Sequence, residues 1–321
     1  MRYKEFGSTG FKVSAVGYGT WPVSAMYWGT DVDDEVSIRS IRSAIDQGIN
    51  LVDTAPIYGA THSEQVVGKA LKDGYRDKVF LTTKCGLDYT YFAAEHRGVN
   101  DTSAKRVRFD CENSLRIMGV DYIDLLLIHW PSRTGVPLEE TCSELNKLQE
   151  EGKIRFIGAS NFSPELVDEA RKYCKFDVLQ HRLSIITRFG EEALKYAHSI
   201  GLGTMTHGSL EGGVLTGNYR VPPIFPDGDE RYGTYKHFQE PYFSDAMKIV
   251  AVLEEIAEAH GRPVSEVAVN WNTQKDFVST ALVGMRNPAE VDNVIHAMEW
   301  ELTEEEIQRI NEVSAPLLRK P

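Results

Sequence analysis

Cysteine is scarce. The 321-residue chain has four, Cys85, Cys111, Cys142 and Cys174, far apart and with no C-x-x-C pair. That spacing excludes a zinc ribbon and a small disulfide scaffold, and it points to a reducing cytoplasm. Long apolar runs are missing too. The longest candidate, Ile123 to Ile128, contains Asp124, whereas a membrane span needs roughly 20 apolar residues. The opening Met1-Arg2-Tyr3-Lys4-Glu5-Phe6 has no apolar core of the kind a signal peptide carries. The sequons at Asn100 and Asn161 are therefore read as chance matches. Positive charge is the minority: 35 Lys and Arg face 47 Asp and Glu, a net charge of −12. Such a surface repels phosphate backbones and anionic headgroups, so neither nucleic acid nor a membrane is an expected partner. G-x-G-x-x-G opening a helix, the P-loop, H-E-x-x-H and G-x-S-x-G are all absent, and no metal site is expected.

What is present is a repeat of short apolar runs, each followed by a helix-like stretch. There are eight: Val13–Gly19, Ile49–Asp53, Val79–Lys84, Tyr122–His129, Ile154–Ser160, Phe176–Gln180, Leu202–His207 and Val278–Gly284. Near-continuous apolar runs suit strands buried on both faces. Helix signals lie between them: capping boxes at Thr61/Glu64 and Thr303/Glu306, Ser163 before Pro164, and an apolar stripe at Ala246, Ile249, Val250 and Leu253. This alternation predicts an α/β fold, a (β/α)8 TIM barrel, with an open doubly wound sheet as the alternative. The whole chain, 1–321, reads as one domain. Residues 2–15, centred on Gly7-Ser8-Thr9-Gly10, predict a β-hairpin. Residues 208–242 form a long loop between strands 7 and 8, and 301–321 a C-terminal helix and tail. Loops as long as 208–242 are usually functional.

In such barrels the active site lies at the C-terminal ends of the strands. Those ends read Gly19-Thr20-Trp21, Asp53, Lys84, His129, Ser160-Asn161, Gln180, His207 and Gly284, with Arg286 just beyond. Any one polar residue there is an ordinary solvated tip, but their concentration on one rim points to a site. Asp53, Lys84 and His129 end neighbouring strands, and Tyr58 follows Asp53 on the next loop. Tyrosine titrates near ~10, and a lysine ammonium within ~4–6 Å would lower that value. Aspartate would keep the lysine charged, and histidine would hydrogen-bond a substrate oxygen or relay a proton.

These residues sit in stretches that resemble the aldo-keto reductases: Gly17-Tyr18-Gly19-Thr20-Trp21, Asp53-Thr54-Ala55-x-x-Tyr58-Gly59, Ser63-Glu64 with Gly68, Thr83-Lys84, Leu115 with Met118 to Asp124, His129-Trp130, Gly152 to Arg155, Gly158 to Phe162, and Leu215-Thr216-Gly217. The likeness runs through nearly the whole chain. It implies hydride transfer between NADP(H), or alternatively NAD(H), and an aldehyde or ketone and its alcohol. Tyr58 would then be the proton donor, tuned by Lys84 and Asp53, with His129 orienting the carbonyl. It further implies cofactor contacts from Gly19, Thr20 and Trp21, from Ser160, Asn161 and Gln180 on the carboxamide, and from His207. Gly208, Ser209, Leu210, Gly212, Leu215 and Gly217 would wrap the pyrophosphate. Gly284, Arg286, Glu290 and Asn293 would hold the adenosine end.

Several positions depart from the family pattern. His207 replaces an aromatic, usually tyrosine, and brings in a group that could titrate near neutrality. Leu183 replaces a tyrosine, and Ser209 a proline. Glu290 stands where glutamine or arginine is common. Arg286 favours NADP and Glu290 favours NAD, with the weight placed on Arg286. Trp21, Tyr27, Trp28, Trp130 and the cluster Tyr89, Tyr91 and Phe92 are candidate substrate walls. His96 and Arg97 are candidates for favouring a substrate anion, or for facing water. Two other functions stand beside this one: a cofactor-binding regulatory subunit with little turnover, and a barrel hydrolase or isomerase pairing Asp53 with Glu64. The expected partner is a small carbonyl or alcohol, and a homo-oligomer is allowed.

Overall fold

A strand buried on both faces must satisfy its backbone through neighbours alone, and parallel strands bounded by helices do this by closing a barrel. In the computed structural model, which describes residues 1–24, 28, 32–89 and 99–318, the eight predicted runs do so. The barrel strands are Val16–Gly19, Leu51–Asp53, Phe80–Cys85, Ile123–Ile128, Ile154–Ser160, Val178–Arg182, Gly203–His207 and Thr280–Gly284. They follow one another in chain order around a closed parallel sheet, the last beside the first. Gly19 lies opposite Asp53, and Asp53 opposite Thr82, so the polar strand ends share one rim.

The predicted hairpin forms. Tyr3–Glu5 pairs antiparallel with Lys12–Ser14, with Tyr3 opposite Ser14. The run Val13–Gly19 is therefore not one strand. It breaks at Ala15, and the Ser14 hydroxyl turns back to donate to the Val16 carbonyl at 2.6 Å. Phe6 and Phe11 of the hairpin meet Phe80 edge-on, each at 5.3 Å, and Phe80 stacks on Phe156 at 5.8 Å. These rings pack where their strands begin, so the hairpin plugs the end of the barrel away from the polar rim.

Helices cover the outside of the sheet. The box Thr303/Glu306 forms in both directions, with Thr303 N donating to Glu306 at 2.8 Å and Glu306 N to Thr303 Oγ1 at 3.2 Å. Ser163 caps the helix Pro164–Ala170 through Leu166 N. The stripe Ala246, Ile249, Val250 and Leu253 is buried on the helix Tyr242–His260. The box Thr61/Glu64 does not form. Thr61 has φ 79° and its side chain makes no cap, while Glu64 turns inward to accept from Thr83 Oγ1 at 2.7 Å. Burial beneath the rim outcompetes the local cap.

Residues 208–242 carry structure of their own: a 3-10 stretch Glu211–Thr216, a short helix Arg231–Thr234 and a turn Lys236–Phe238. Phe238, Tyr235 and Val214 build a second core with the helices Tyr242–His260, Val264–Thr273 and Glu304–Leu318, and this core fixes the loop over the rim. Of the C-terminal segment, Glu304–Leu318 is helical and 319–321 lie outside the described residues.

Candidate active site

The four ionisable groups singled out by sequence come together. Lys84, wholly buried, donates from Nζ to Asp53 Oδ2 at 2.7 Å, to the Thr54 carbonyl at 2.8 Å and to the Tyr58 hydroxyl at 3.3 Å. The His129 ring stands edge-on to Tyr58, with centroids 6.0 Å apart. His129 N donates to the Cys85 carbonyl at 2.9 Å, and the His129 carbonyl accepts from Asn161 Nδ2 at 3.2 Å. Strand pairing and a side-chain amide thus fix the histidine on both sides.

Burial governs the electrostatics. It pushes Asp53 above the usual carboxylate range against the pull of Lys84. It works to lower Lys84, but Asp53 and Tyr58 more than offset this and the ammonium is held above its ordinary value. For Tyr58 the outcome differs from the sequence expectation. Burial raises the phenol, and Lys84 recovers only part of that rise. The phenol therefore stays protonated at neutral pH, as a proton donor must. Burial, with Lys84 and His207 nearby, drives His129 well below its ordinary range, so it is a neutral imidazole. His207 does not titrate near neutrality as expected, because burial and then Arg182 push it down to about 3.

Above this cluster lies a cavity of about 720 Å³, within the ~300–1,000 Å³ common for small-molecule sites. Asp53, Tyr58 and His129 line one end, with Trp21, Trp28 and Trp130 as aromatic walls. Gly19, Ser160, Asn161, Gln180 and His207 border the same end. Gly208, Ser209, Leu210, Gly212 and Gly217 line it too, as do Gly284, Arg286, Glu290 and Asn293. Two expected contacts are not on the lining. Thr20 is fully buried, accepts from Ser63 Oγ at 2.7 Å and donates to the Asp53 carbonyl at 2.9 Å. Leu215 belongs to the second core. Tyr89 is also off the lining and accepts from Asn113 Nδ2 at 2.8 Å. Tyr27, Tyr91, Phe92, His96 and Arg97 lie outside the described residues. Glu64 is sealed behind the rim and cannot serve with Asp53 as a hydrolase pair.

Some lining residues escaped the sequence reading. Gln180 does more than face a ligand: its Nε2 donates to Asp53 Oδ1 at 3.0 Å. Arg182 lies two residues further along the same strand, on the same face by strand periodicity, and that signal was available. Arg231 and Tyr235 reach the cavity from the long loop. Arg286 and Glu290, weighed separately in the sequence, are partners. Glu290 Oε1 accepts from Arg286 Nη2 at 3.0 Å, and Oε2 from the Arg286 backbone N at 2.8 Å.

Residues 15–315 match the model of the Aldo/keto reductase family. The aldo-keto reductase YhdN of Bacillus subtilis is 36% identical over 324 residues, covering 100% of this chain and 96% of its own. A protein named NADH-specific methylglyoxal reductase, from Escherichia coli, is 30% identical over 99% of this chain and its full length. Among solved structures, the glycerol dehydrogenase AKR11B4 of Gluconobacter oxydans superposes with a TM-score of 0.88 at 35% identity, covering 99% of this chain and 97% of its own. The strand-end chemistry, the closed barrel and these relatives agree: the chain belongs to the aldo/keto reductase family and is an NAD(P)H-dependent oxidoreductase.

Proposed function

We propose that the chain interconverts an aldehyde or ketone with its alcohol, with Tyr58 as the proton donor. The observation that carries this reading is the contact of Lys84 Nζ with both Asp53, at 2.7 Å, and Tyr58, at 3.3 Å, at the floor of one cavity. The donor set suits a nicotinamide dinucleotide. Ser160, Asn161 and Gln180 offer both donors and acceptors for a carboxamide. Gly208, Gly212, Gly213 and Gly217 all have positive φ, which glycine adopts without steric cost, and having no Cβ they allow a diphosphate to approach backbone N–H groups. Once bound, the dinucleotide supplies or accepts the hydride.

This chain's own residues do the rest. In reduction Tyr58 gives its hydroxyl proton to the substrate oxygen. Lys84 stabilises the phenolate left behind, and Asp53 fixes the ammonium. Neutral His129 donates an N–H to the same oxygen and orients the carbonyl. In the alcohol direction the phenolate takes the proton back. An intact set of four groups favours turnover over a purely regulatory role.

We also read the adenosine end as favouring NAD(H), although sequence alone put more weight on Arg286 and NADP. Glu290 already occupies the Arg286 fork, and a 2′-phosphate would have to displace a carboxylate. The NADH-specific relative from Escherichia coli fits this preference. The four cysteines are free thiols, which fits a reducing cytoplasm. Tyr58→Phe tests the central reading. Loss of NAD(P)H absorbance with an aldehyde panel is expected to slow by about 10²–10⁴-fold, with cofactor affinity retained. Equal rates in the two proteins would remove Tyr58 from its role.

A further inference from the structure

Two guanidinium groups line the cavity beside its aromatic wall, and each already has its own carboxylate. Arg182 Nη2 donates to Glu211 Oε2 at 2.6 Å, and Glu211 Oε1 accepts from Ser184 Oγ at 2.6 Å. Arg231 grips Asp229 through Nη2 at 2.6 Å and Nε at 3.0 Å. Both carboxylate side chains are 0% exposed, while Arg182 and Arg231 keep 20% and 11%. Glu211 borders the cavity without exposing side-chain surface and Asp229 is off the lining, so the guanidinium groups present the exposed charge. His237 comes within 3.7 Å of Glu211, but burial pushes its pKa down, so it stays neutral and leaves the Glu211 charge to Arg182.

Both arginines sit on the aromatic wall that begins at the proton donor. Trp21 is 6.5 Å from Tyr58, Tyr235 is 6.2 Å from Trp21, and Arg182 lies 4.9 Å from the Tyr235 ring. On the other side Trp28 is 5.8 Å from Trp21, and Arg231 lies 4.7 Å from the Trp28 ring. Closer to the reacting carbonyl, Lys84 is matched by Asp53, while His129 and His207 are neutral. Among the described residues, each arginine lining the cavity thus has its own carboxylate, while Arg133, 5.5 Å from the Trp130 ring, is off the lining and exposed to solvent.

We propose that this internal pairing selects uncharged carbonyl substrates against those bearing a carboxylate or phosphate, with Glu211 as the specificity-determining residue. The inference rests on the reductase reading above. An anionic substrate would leave water for a wall whose positive charge is already spent, and it would meet the field of the paired acid. A neutral one loses little hydration and gains aromatic contact.

The test compares butanal with 4-oxobutanoate, equal in carbon count and different in charge, at saturating NADH and separately at saturating NADPH. Wild type is expected to favour butanal in kcat/KM by at least about tenfold. Glu211→Gln frees the Arg182 charge and is expected to shift the ratio towards 4-oxobutanoate by about tenfold. Asp229→Asn frees Arg231 at a separate position of the long loop, so a folding failure in one variant leaves the other to decide. Cofactor affinity, read by fluorescence titration, separates this effect from one on the dinucleotide. Equal use of the two aldehydes by wild type, or an unchanged ratio in both folded variants, overturns the inference. No oxidation of either cofactor with any aldehyde would instead overturn the reductase reading beneath it.

Discussion

Gln180 reaches across the barrel to Asp53, donating from Nε2 to Oδ1 at 3.0 Å between residues 127 apart in sequence. The carboxylate is thus held on one oxygen by a neutral amide and on the other by Lys84. A residue expected only to grip the nicotinamide also positions the acid that orients the lysine. Gln180→Leu should lower kcat on the order of tenfold, in addition to weakening cofactor binding. Stopped-flow transients at saturating cofactor read the first effect alone. Unchanged transients would confine Gln180 to binding.

The Arg286–Glu290 pair lets the proposed cofactor preference be tested at one position. Glu290→Gln removes the competing charge and frees the guanidinium fork. Affinity for NADPH relative to NADH is expected to rise about tenfold, measured by titrating each cofactor separately. If the ratio does not move, the 2′ end is read elsewhere.

Glu64 is a buried acid beneath the rim. Burial, helped by Asp110 and opposed by Ser114, Thr83 and Lys84, raises it from its ordinary 4.5 to about 7. Between those two values the folded protein binds a proton that the unfolded chain has lost, so stability falls as pH rises from about 4.5 to about 7 and levels off above. Glu64→Gln keeps the acceptor for Thr83 and removes the titration. It should gain roughly 3 kcal/mol relative to wild type at pH 8 and little at pH 4.5. Urea midpoints across this range check it, and parallel curves for the two proteins would contradict it.

Gly68 marks a close approach of the helix His62–Ala70 to the end of the helix Ala104–Met118. A Cβ on it would lie 2.6 Å from the Met118 carbonyl oxygen and 2.7 Å from its Cα, backbone that cannot step aside. Gly68→Ala should cost about 1–3 kcal/mol in urea denaturation. Gly74→Ala, with nothing near its Cβ but φ +82°, would report backbone strain alone.

The barrel was legible because its strands are buried on both faces. Each must be an apolar run, and each run must end where a polar residue meets the cavity. Asp53, Lys84, His129 and Gln180 announced themselves in this way. The hairpin boundary at Ala15 was not legible, since apolar residues continue through the break. Nor was the fate of Glu64, whose local sequence reads as a helix cap until the Thr83 hydroxyl arrives from the next strand.

The sequence by itself determined the alternation, the rim chemistry and the family, because these depend on residue type along one strand or one motif. Tertiary structure alone decided which charges cancel. Arg182 finds Glu211, Asp53 finds Gln180 and Lys84, and burial holds Tyr58 protonated and His207 neutral. Most of these partners come from different strands and loops, and the strength of an electrostatic interaction depends on distance and on excluded water, which closure of the fold creates.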